Sequence, residues 1–183
     1  RNMHDVLALQ SEIARDVTRQ IAVRITPGEQ AYFDEAPRVD PAAHEAYLRG
    51  RYELNRYTED GMQKALHYFG EAIQKDPGSA RAYAGLADTY SALRGIYQPP
   101  ALVMPKAKEA ALTALKLDDT LAEAHAALGL VLLSYDWDWK ESEKEFRRAL
   151  ELNRGLASAH QGYALLLAAM ARPAEAGAEM DRA

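Results

Sequence analysis

The sequence predicts an all-α protein, an α-solenoid of about four helix-turn-helix repeats preceded by one amphipathic helix. Apolar residues recur every three or four positions between capping residues, which is the pattern of amphipathic helices. No segment alternates apolar and polar residues over the length of a strand. Three similar stretches, residues 75–90, 117–132 and 152–167, recur at the spacing of stacked helical hairpins.

The repeat length follows from a small residue near the end of each unit. Successive members of this set are 42, 35 and 34 residues apart, which leaves room for two helices per unit. We therefore predict repeats at about 41–78, 79–120, 121–155 and 156–183, the last one truncated. The small residues are Ala72, Ala114, Ala149 and Ala183.

Residues 1–40 precede this predicted array of residues 41–183. We expect an amphipathic helix between His4 and Ile25 followed by a linker, together forming the tail of an upstream domain. Five apolar residues lie on or near one stripe of this helix, which makes it amphipathic. They are Val6, Leu9, Ile13, Val17 and Ile21.

Capping residues set the predicted helix starts within the array. Asp40, Thr58 and Asp138 can each accept a hydrogen bond from the free N–H groups of a first helical turn. Thr120 with Glu123 has the pattern of a capping box. These residues divide the array into helices of ordinary length.

Two corners are longer than the others. Residues 94–100 add about eight residues between the helices of the second repeat, so that Pro105 falls in the first turn or so of the next helix. The corner at residues 135–139 is one residue longer than usual. Both corners are therefore expected to depart from the regular hairpin.

The composition excludes several classes of function. The 183 residues carry 22 Lys and Arg against 27 Asp and Glu, a net charge of −5, and no cysteine. An acidic surface does not attract phosphate backbones, so we expect no nucleic-acid binding by this region. Thiol catalysis and Cys-based metal sites are excluded. Since no apolar run approaches about 20 residues, we expect no membrane insertion by this region.

Few residues suggest catalytic or metal chemistry. His125 and His160 lie 35 residues apart at equivalent repeat positions, and we interpret them as packing residues rather than metal ligands. Asp136 and Asp138 form a D-x-D pair that could contact a divalent ion, although carboxylates at a turn are more often solvated. A metal-dependent enzyme is therefore a remote alternative, and we expect no enzyme and no cofactor.

Aromatic residues cluster at the second long corner. Trp137 and Trp139 flank Asp138, with Tyr135 just before them. We favour the interpretation that one indole fills the junction between repeats. The alternative is that the indole anchors a ligand.

The repeats resemble the tetratricopeptide repeat. The first repeat is irregular in its first helix, but its second helix matches through Ala65, Phe69, Ala72 and Pro77. The remaining repeats supply the family's bulky, small and aromatic positions in the expected order. These are Tyr83, Leu86, Ala87, Tyr90, Ala107, Ala111 and Ala114 in the second, His125, Leu128, Gly129, Leu132, Ser142, Phe146 and Ala149 in the third, and His160, Tyr163, Ala164, Leu167, Ala176, Met180 and Ala183 in the fourth.

The order of an amphipathic helix and then this array is similar to bacterial signalling proteins. In those proteins, a TolB-like or FlgO-like domain leads into tetratricopeptide repeats, behind a DNA-binding, cyclase or kinase domain. This resemblance implies a sensory or regulatory part of a larger protein in the cytoplasm, or in the periplasm if a transmembrane helix lies upstream.

The resemblance also implies a protein-interaction module whose concave groove is lined by the first helix of each repeat. The expected partner is a protein or peptide ligand. The set of Lys, Asn and Arg residues that binds a peptide carboxylate in co-chaperone members is missing, and the later groove is apolar instead. Further repeats or the N-terminal helix could equally cover this apolar surface, and the array could instead form a homodimer. The expected groove residues are Arg81, Asp88, Glu123, Leu130, Leu133, Gln161 and Leu165.

Overall fold

The computed structural model describes residues 40–183, and these residues form eight α-helices. The amphipathic helix predicted between residues 4 and 25 lies outside the described residues. No described helix is both long and apolar enough to span a lipid bilayer. The helices are α1 Pro41–Leu54, α2 Glu59–Lys75, α3 Ala80–Leu93, α4 Pro100–Leu117, α5 Ala122–Val131, α6 Trp139–Leu152, α7 Ala157–Ala169 and α8 Pro173–Met180.

Consecutive helices pair as hairpins, and the hairpins stack in chain order. We call α1, α3, α5 and α7 the inner helices, and their partners α2, α4, α6 and α8 the outer helices. Each inner helix contacts the inner helix of the next hairpin, whereas no comparably extensive contact joins consecutive outer helices of the described chain. The array therefore curves with its inner helices on the concave side.

Phenylalanine and glycine set the distance between hairpins at two junctions. Phe69 of α2 is fully buried between Gly50 of α1 and Gly85 of α3, where an added Cβ would lie 2.7 Å and 2.5 Å from its ring. Phe146 of α6 is buried in the same way against Gly162 of the next hairpin, where a Cβ would lie 2.4 Å from the ring. Each ring thus occupies the space that the glycines leave open, and burial of a ring this size stabilises the stack by about 2–3 kcal/mol.

The middle junction uses small residues on both sides. Ala111 of α4 takes the place of the phenylalanine, and it packs with Ala87 of α3 and Ala127 of α5. All three side chains are at most 2% exposed. At this junction a small residue therefore faces alanines, whereas the other two junctions place a large ring against glycines.

Most of the predicted helix starts are confirmed. Asp40 accepts hydrogen bonds from Ala42 N at 2.7 Å and Ala43 N at 3.0 Å. Thr58 Oγ1 accepts one from Gly61 N at 3.1 Å, and Asp138 Oδ1 accepts one from the first turn of α6 at 3.2 Å. Side-chain oxygens therefore satisfy these orphan N–H groups.

The predicted capping box at Thr120 is wrong. The Thr120 hydroxyl donates to Asp118 Oδ1 at 2.7 Å, and the Thr120 N–H donates to the same oxygen at 2.9 Å. Leu121 is the N-cap of α5, and no side chain caps it. The tight turn that Asp118 closes holds Thr120 away from the helix end.

The two long corners depart from the hairpin in different ways. The extra residue of the later corner is absorbed in a π-helical turn, Leu132–Asp136, after α5. At the earlier corner, α4 begins at Pro100, so Pro105 lies in its second turn rather than its first. Pro100 occupies the first helical position, where its fixed φ and missing N–H cost little, and this moves the helix start toward the N-terminus.

Apart from the corner at residues 94–100, the corner of each hairpin has a left-handed residue directly before the N-cap of the outer helix. Tyr57, Trp137 and Ala171 have φ of 51°, 60° and 57°, and each precedes the N-cap of its outer helix. A non-glycine residue in this conformation costs roughly 1–2 kcal/mol. The packing of the hairpins therefore imposes the same turn on the first, third and fourth repeats.

Candidate protein-interaction groove

The concave groove is lined by side chains that project from successive turns of the inner helices. Its floor is formed by Ala84 and Ala126, which are 2% and 5% exposed because neighbouring inner helices approach closely there. Around this floor, each inner helix contributes two or three residues at spacings of three, four or seven. The lining comprises Tyr47 and Arg51 from α1, Arg81 and Asp88 from α3, Glu123 and Leu130 from α5, and Ser158, Gln161 and Leu165 from α7.

The N-terminal half of the groove is charged. Arg51 Nη1 of α1 lies 3.3 Å from Asp88 Oδ2 of α3, so a salt bridge joins equivalent positions of two adjacent inner helices. Tyr47 lies in the same electrostatic environment, close to Arg51, Glu123 and Arg81. Burial is the main cause that raises the pKa of the Tyr47 phenol. Opposite charges are thus gathered on a poorly solvated surface.

Asp88 is the most perturbed ionisable group of the groove. Desolvation by the surrounding helices raises the pKa of its carboxyl from 3.8 to about 6, Arg51 acts against this increase, and Glu123 adds to it. The Asp88 side chain still keeps 28% of its surface exposed, so it remains accessible to a ligand. Carboxyls with a perturbed pKa occur both at functional sites and in structural ion pairs, so Asp88 is a candidate ligand contact.

The C-terminal half of the groove is apolar. Leu165 of α7 is 54% exposed, and Leu130, at the equivalent position of α5, is partly buried against the core cluster that contains Phe146 and Leu166. Leu133, also expected in the groove, is only 8% exposed and packs in a core cluster with Phe146 and Tyr163. Its position in the π-helical turn gives it a different direction from a residue of a regular helix, so Leu133 supports the hairpin rather than the groove.

Sequence reasoning missed Tyr47 and Arg51. The first inner helix matches the repeat pattern only to within one residue, so its concave positions cannot be assigned from the repeat period. The missing signal is Gly50, which faces Phe69 as Gly129 faces Phe146 and thereby fixes the register of α1.

The two repeat-equivalent histidines hold hairpins together, which confirms the packing interpretation. His125 Nδ1 lies 2.6 Å from Glu145 Oε2 of the outer helix, and its Nε2 lies 2.9 Å from the Asp119 carbonyl oxygen. His160 repeats this arrangement with Glu179 Oε2 at 2.6 Å and the Arg154 carbonyl at 3.0 Å. The hydrogen bond that the His125 imidazole donates to the Glu145 carboxylate is the main cause that raises the pKa of His125.

The carboxylates of the D-x-D corner contact other groups of the chain. Asp136 accepts a hydrogen bond from Lys108 Nζ of α4 at 2.7 Å, and Asp138 caps α6. Residues 40–183 contain no group of three or more His, Cys, Asp or Glu residues placed to hold a metal ion. The two carboxylates therefore have structural partners.

The two tryptophans of this corner have different environments. Trp139 packs against the cluster of Leu133 and Phe146 and fills a junction, with its indole Nε1 buried and without a hydrogen-bond partner. Trp137 is 70% exposed. One indole therefore fills the junction, as expected, and the other faces solvent.

One cleft of the described chain lies away from the groove. It measures about 560 Å³ between α4 and the corner that precedes α6, on the convex side. The salt bridge between Lys108 and Asp136 lies along it. It contains none of the predicted groove residues. Its lining is Pro105, Lys108, Glu109, Leu112, Thr113, Lys116, Tyr135 and Asp136.

Two curated proteins with significant similarity are bacterial regulators or signalling enzymes by name. Transcriptional regulator HilA of Salmonella typhimurium is 33% identical over 128 residues, which are 67% of this chain and 22% of the relative. Putative adenylate cyclase 3 of Rhizobium meliloti is 28% identical over 87 residues, which are 48% of this chain and 15% of the relative. The chain thus spans less than a quarter of either relative, and no protein-family model matches it.

Solved structures show the fold. A thermophilic TPR protein of Thermus thermophilus matches with a TM-score of 0.64 and 21% identity, over 82% of this chain and 75% of that one. The Sgt2 TPR domain of Aspergillus fumigatus matches with a TM-score of 0.57 and 20% identity, over 74% and 83%. The first TPR of Spaghetti, bound to an HSP90 peptide, matches with a TM-score of 0.55 and 17% identity, over 74% and 99%. The described residues therefore form a tetratricopeptide-repeat (TPR) solenoid.

Proposed function

We propose that residues 40–183 form a non-catalytic scaffold that binds a protein or peptide in its concave groove. The observation that carries this proposal is the change along the groove from a charged, desolvated half around Asp88 to an apolar half around Leu165. Most buried structural surfaces are apolar or have their polar groups paired, whereas this surface is partly exposed and chemically graded. Such a gradient gives a ligand both affinity and direction.

The groove chemistry defines the ligand. Apolar side chains of the ligand would contact Leu130 and Leu165, and a Lys or Arg of the ligand would reach Asp88 and Glu123. The Spaghetti domain was solved with an HSP90 peptide, SRMEEVD, whose sequence is acidic near its C-terminus. In this chain Arg51 and Arg81 lie beside Asp88 and Glu123, so the groove has no excess of one charge, and we expect a ligand, helical or extended, that carries both charged and apolar side chains.

Peptide display tests this proposal. A random peptide library is selected on the full chain, and the affinity of the enriched peptides is then measured for variants. Leu130→Asp combined with Leu165→Asp should reduce affinity at least about tenfold with helicity unchanged, because it places charges in the apolar half. Leu112→Asp is the matched control, since Leu112 is 48% exposed in the convex cleft. Unchanged binding by the groove variant contradicts the proposal.

The relatives support a wider role for the chain. A transcriptional regulator and a putative adenylate cyclase both contain a region similar to it. We infer that the scaffold is the sensory or regulatory part of a larger bacterial signalling protein in the cytoplasm, and that nucleic acid is bound by other regions. Sequencing the flanking coding region and finding no effector domain would contradict this inference.

Self-association is a second candidate function, and one residue favours it. Met180 of α8 occupies the position at which Phe69 and Phe146 insert into the next hairpin, and it is 49% exposed. A second copy could cover this face as the next hairpin covers the others. Sedimentation should then show a dimer that Met180→Asp dissociates, and a monomer at all concentrations would exclude this function.

A further inference from the structure

The inner helices of the last three hairpins share one type of packing face. In α3, α5 and α7, the side that contacts the preceding hairpin consists of three buried residues at spacings of three and four. Their side chains are small at the centre of the face, where the preceding hairpin approaches most closely. The three faces are Ala82, Gly85 and Thr89; Ala124, Ala127 and Val131; and Ala159, Gly162 and Leu166.

The corresponding face of the first hairpin is different. Gly50 faces Phe69 as Gly129 faces Phe146, and this register makes Glu45, Leu48 and Tyr52 the equivalents of the buried triplets. Leu48 is 42% exposed and Tyr52 is 68% exposed. We call Glu45, Leu48 and Tyr52, together with Tyr68 of α2, the leading face.

The leading face contains a cleft and aromatic side chains. A cleft of about 430 Å³ lies between α1 and α2 there, and it is lined by Leu48, Tyr52 and Tyr68 with Glu45, Arg49 and Glu53. The guanidinium carbon of Arg49 lies 5.9 Å from the centre of the Tyr68 ring. Large apolar side chains around a cleft, exposed at the end of a solenoid, indicate a surface that a partner covers.

Another hairpin of the same kind does not fit this face. At the first internal junction, the Phe69 ring lies where even a Cβ on Gly85 would come within 2.5 Å. Leu48 stands at the position equivalent to Gly85, so its side chain fills the space that an inserted residue would need. The partner must instead lie across the projecting Leu48 and Tyr52 side chains, as one amphipathic helix packs ridges into grooves on another.

We propose that residues 4–25 of the same chain dock on the leading face. Their sequence predicts an amphipathic helix with a stripe of Val6, Leu9, Ile13, Val17 and Ile21, and thirty-nine residues precede Asp40, where the described structure begins. The 14 residues of linker 26–39 can span roughly 46–50 Å, whereas the 14 residues of α1 extend only about 21 Å. The segment therefore reaches the whole leading face, and docking there closes the end of the solenoid while the concave groove stays open.

Thiol labelling of the full chain tests this proposal, because the chain has no cysteine of its own. Leu48→Cys places one small apolar thiol in the leading face. In this variant, the thiol should react slowly with a maleimide, and adding Ile13→Asp with Val17→Asp should speed the reaction at least about tenfold, since the segment then no longer covers the face. Leu112→Cys, in the convex cleft, is the matched control and should react at one rate in both backgrounds.

The remaining outcomes decide against the proposal. Equal Leu48→Cys rates in the two backgrounds overturn it, and so does protection that increases with protein concentration, because a second copy then covers the face. Amide hydrogen exchange gives a second readout. Residues 4–25 should be protected in the unmodified chain and should lose that protection in Leu48→Asp with Tyr52→Asp, while α6 amides keep theirs. Protection that survives both substitutions also overturns the proposal.

Discussion

Glycines at the hairpin junctions act by leaving space rather than by adopting unusual backbone angles. Gly85 lies inside a regular helix, where glycine is less favourable than alanine by about 1 kcal/mol, yet its missing side chain admits the Phe69 ring. In the same way, the missing side chain of Gly162 admits the Phe146 ring. At these positions, packing outweighs helix propensity.

Gly85→Ala should therefore destabilise the protein by about 1–3 kcal/mol, because the new methyl group overpacks the junction. Gly70→Ala is the matched control, since Gly70 also lies in a helix but has no atom within 4 Å of an added Cβ. This control should stabilise the protein by about 0.5–1 kcal/mol. Urea unfolding of both variants measures the difference, and a stabilising Gly85→Ala would refute the packing explanation.

Asp88 should make stability depend on pH in the direction opposite to an ordinary paired carboxylate. The folded pKa of about 6 exceeds the unfolded value of 3.8, so the fold favours the protonated form. Stability therefore falls as the pH rises from about 4 to 6 and stays lower above 6.

Asp88→Asn removes this titration and keeps an acceptor for Arg51. Relative to the variant, the free energy of unfolding of the unmodified protein should fall by about 1–2 kcal/mol between pH 4 and 7. This is less than the full linkage value, because 28% of the Asp88 side chain is exposed. Chemical denaturation at several pH values gives this comparison. Parallel pH profiles for the two proteins would mean that the Asp88 carboxyl is not destabilised in the groove.

At the scale of the helices, His125 joins an inner helix to its outer partner through a hydrogen bond that depends on protonation. The Asp119 carbonyl can only accept, so Nε2 carries a proton, and Nδ1 must carry another to donate to an ionised Glu145. Burial, and to a smaller extent Arg148, act against this second proton, but the hydrogen bond with Glu145 prevails and raises the pKa of His125. The contact is strongest when the imidazole is charged.

The dependence of stability on pH should reveal the hydrogen bond between His125 and Glu145. Because the folded pKa of His125 lies above the unfolded value of 6.5, its contribution is complete below about pH 6.5 and is lost as the pH rises through the folded pKa. Glu145→Gln should lower the free energy of unfolding by on the order of 1 kcal/mol at pH 6 and by much less at pH 9. Thermal unfolding across this range measures the change. An equal loss at both pH values would show that the charge is not involved.

Helix boundaries were predictable where a side chain caps the backbone and less so elsewhere. Asp40, Thr58 and Asp138 were assigned correctly because capping is local in sequence. Thr120 was not, since its partner Asp118 lies in the turn before the helix, and Asp118 competes for the same hydroxyl. Local patterns cannot rank two hydrogen bonds that a single side chain can make.

For the whole molecule, the solenoid was predictable because its junctions require small residues at a fixed period. The groove was only partly predictable, because its register depends on corner length. Gly50 and Phe69 lie 19 residues apart, whereas Gly129 and Phe146 lie 17 apart, so the period alone does not place Arg51 in the groove. The π-helical turn likewise moves Leu133 into the core. Such insertions change the direction of a side chain without changing the fold.

Backbone amide NMR of the full chain with a bound peptide tests most directly whether the inner helices present the binding surface. A peptide enriched by display should shift amides of α3, α5 and α7 around Asp88, Leu130 and Leu165. Amides of α4 and α6 at the convex cleft should stay unchanged. Shifts confined to the convex side would contradict the account.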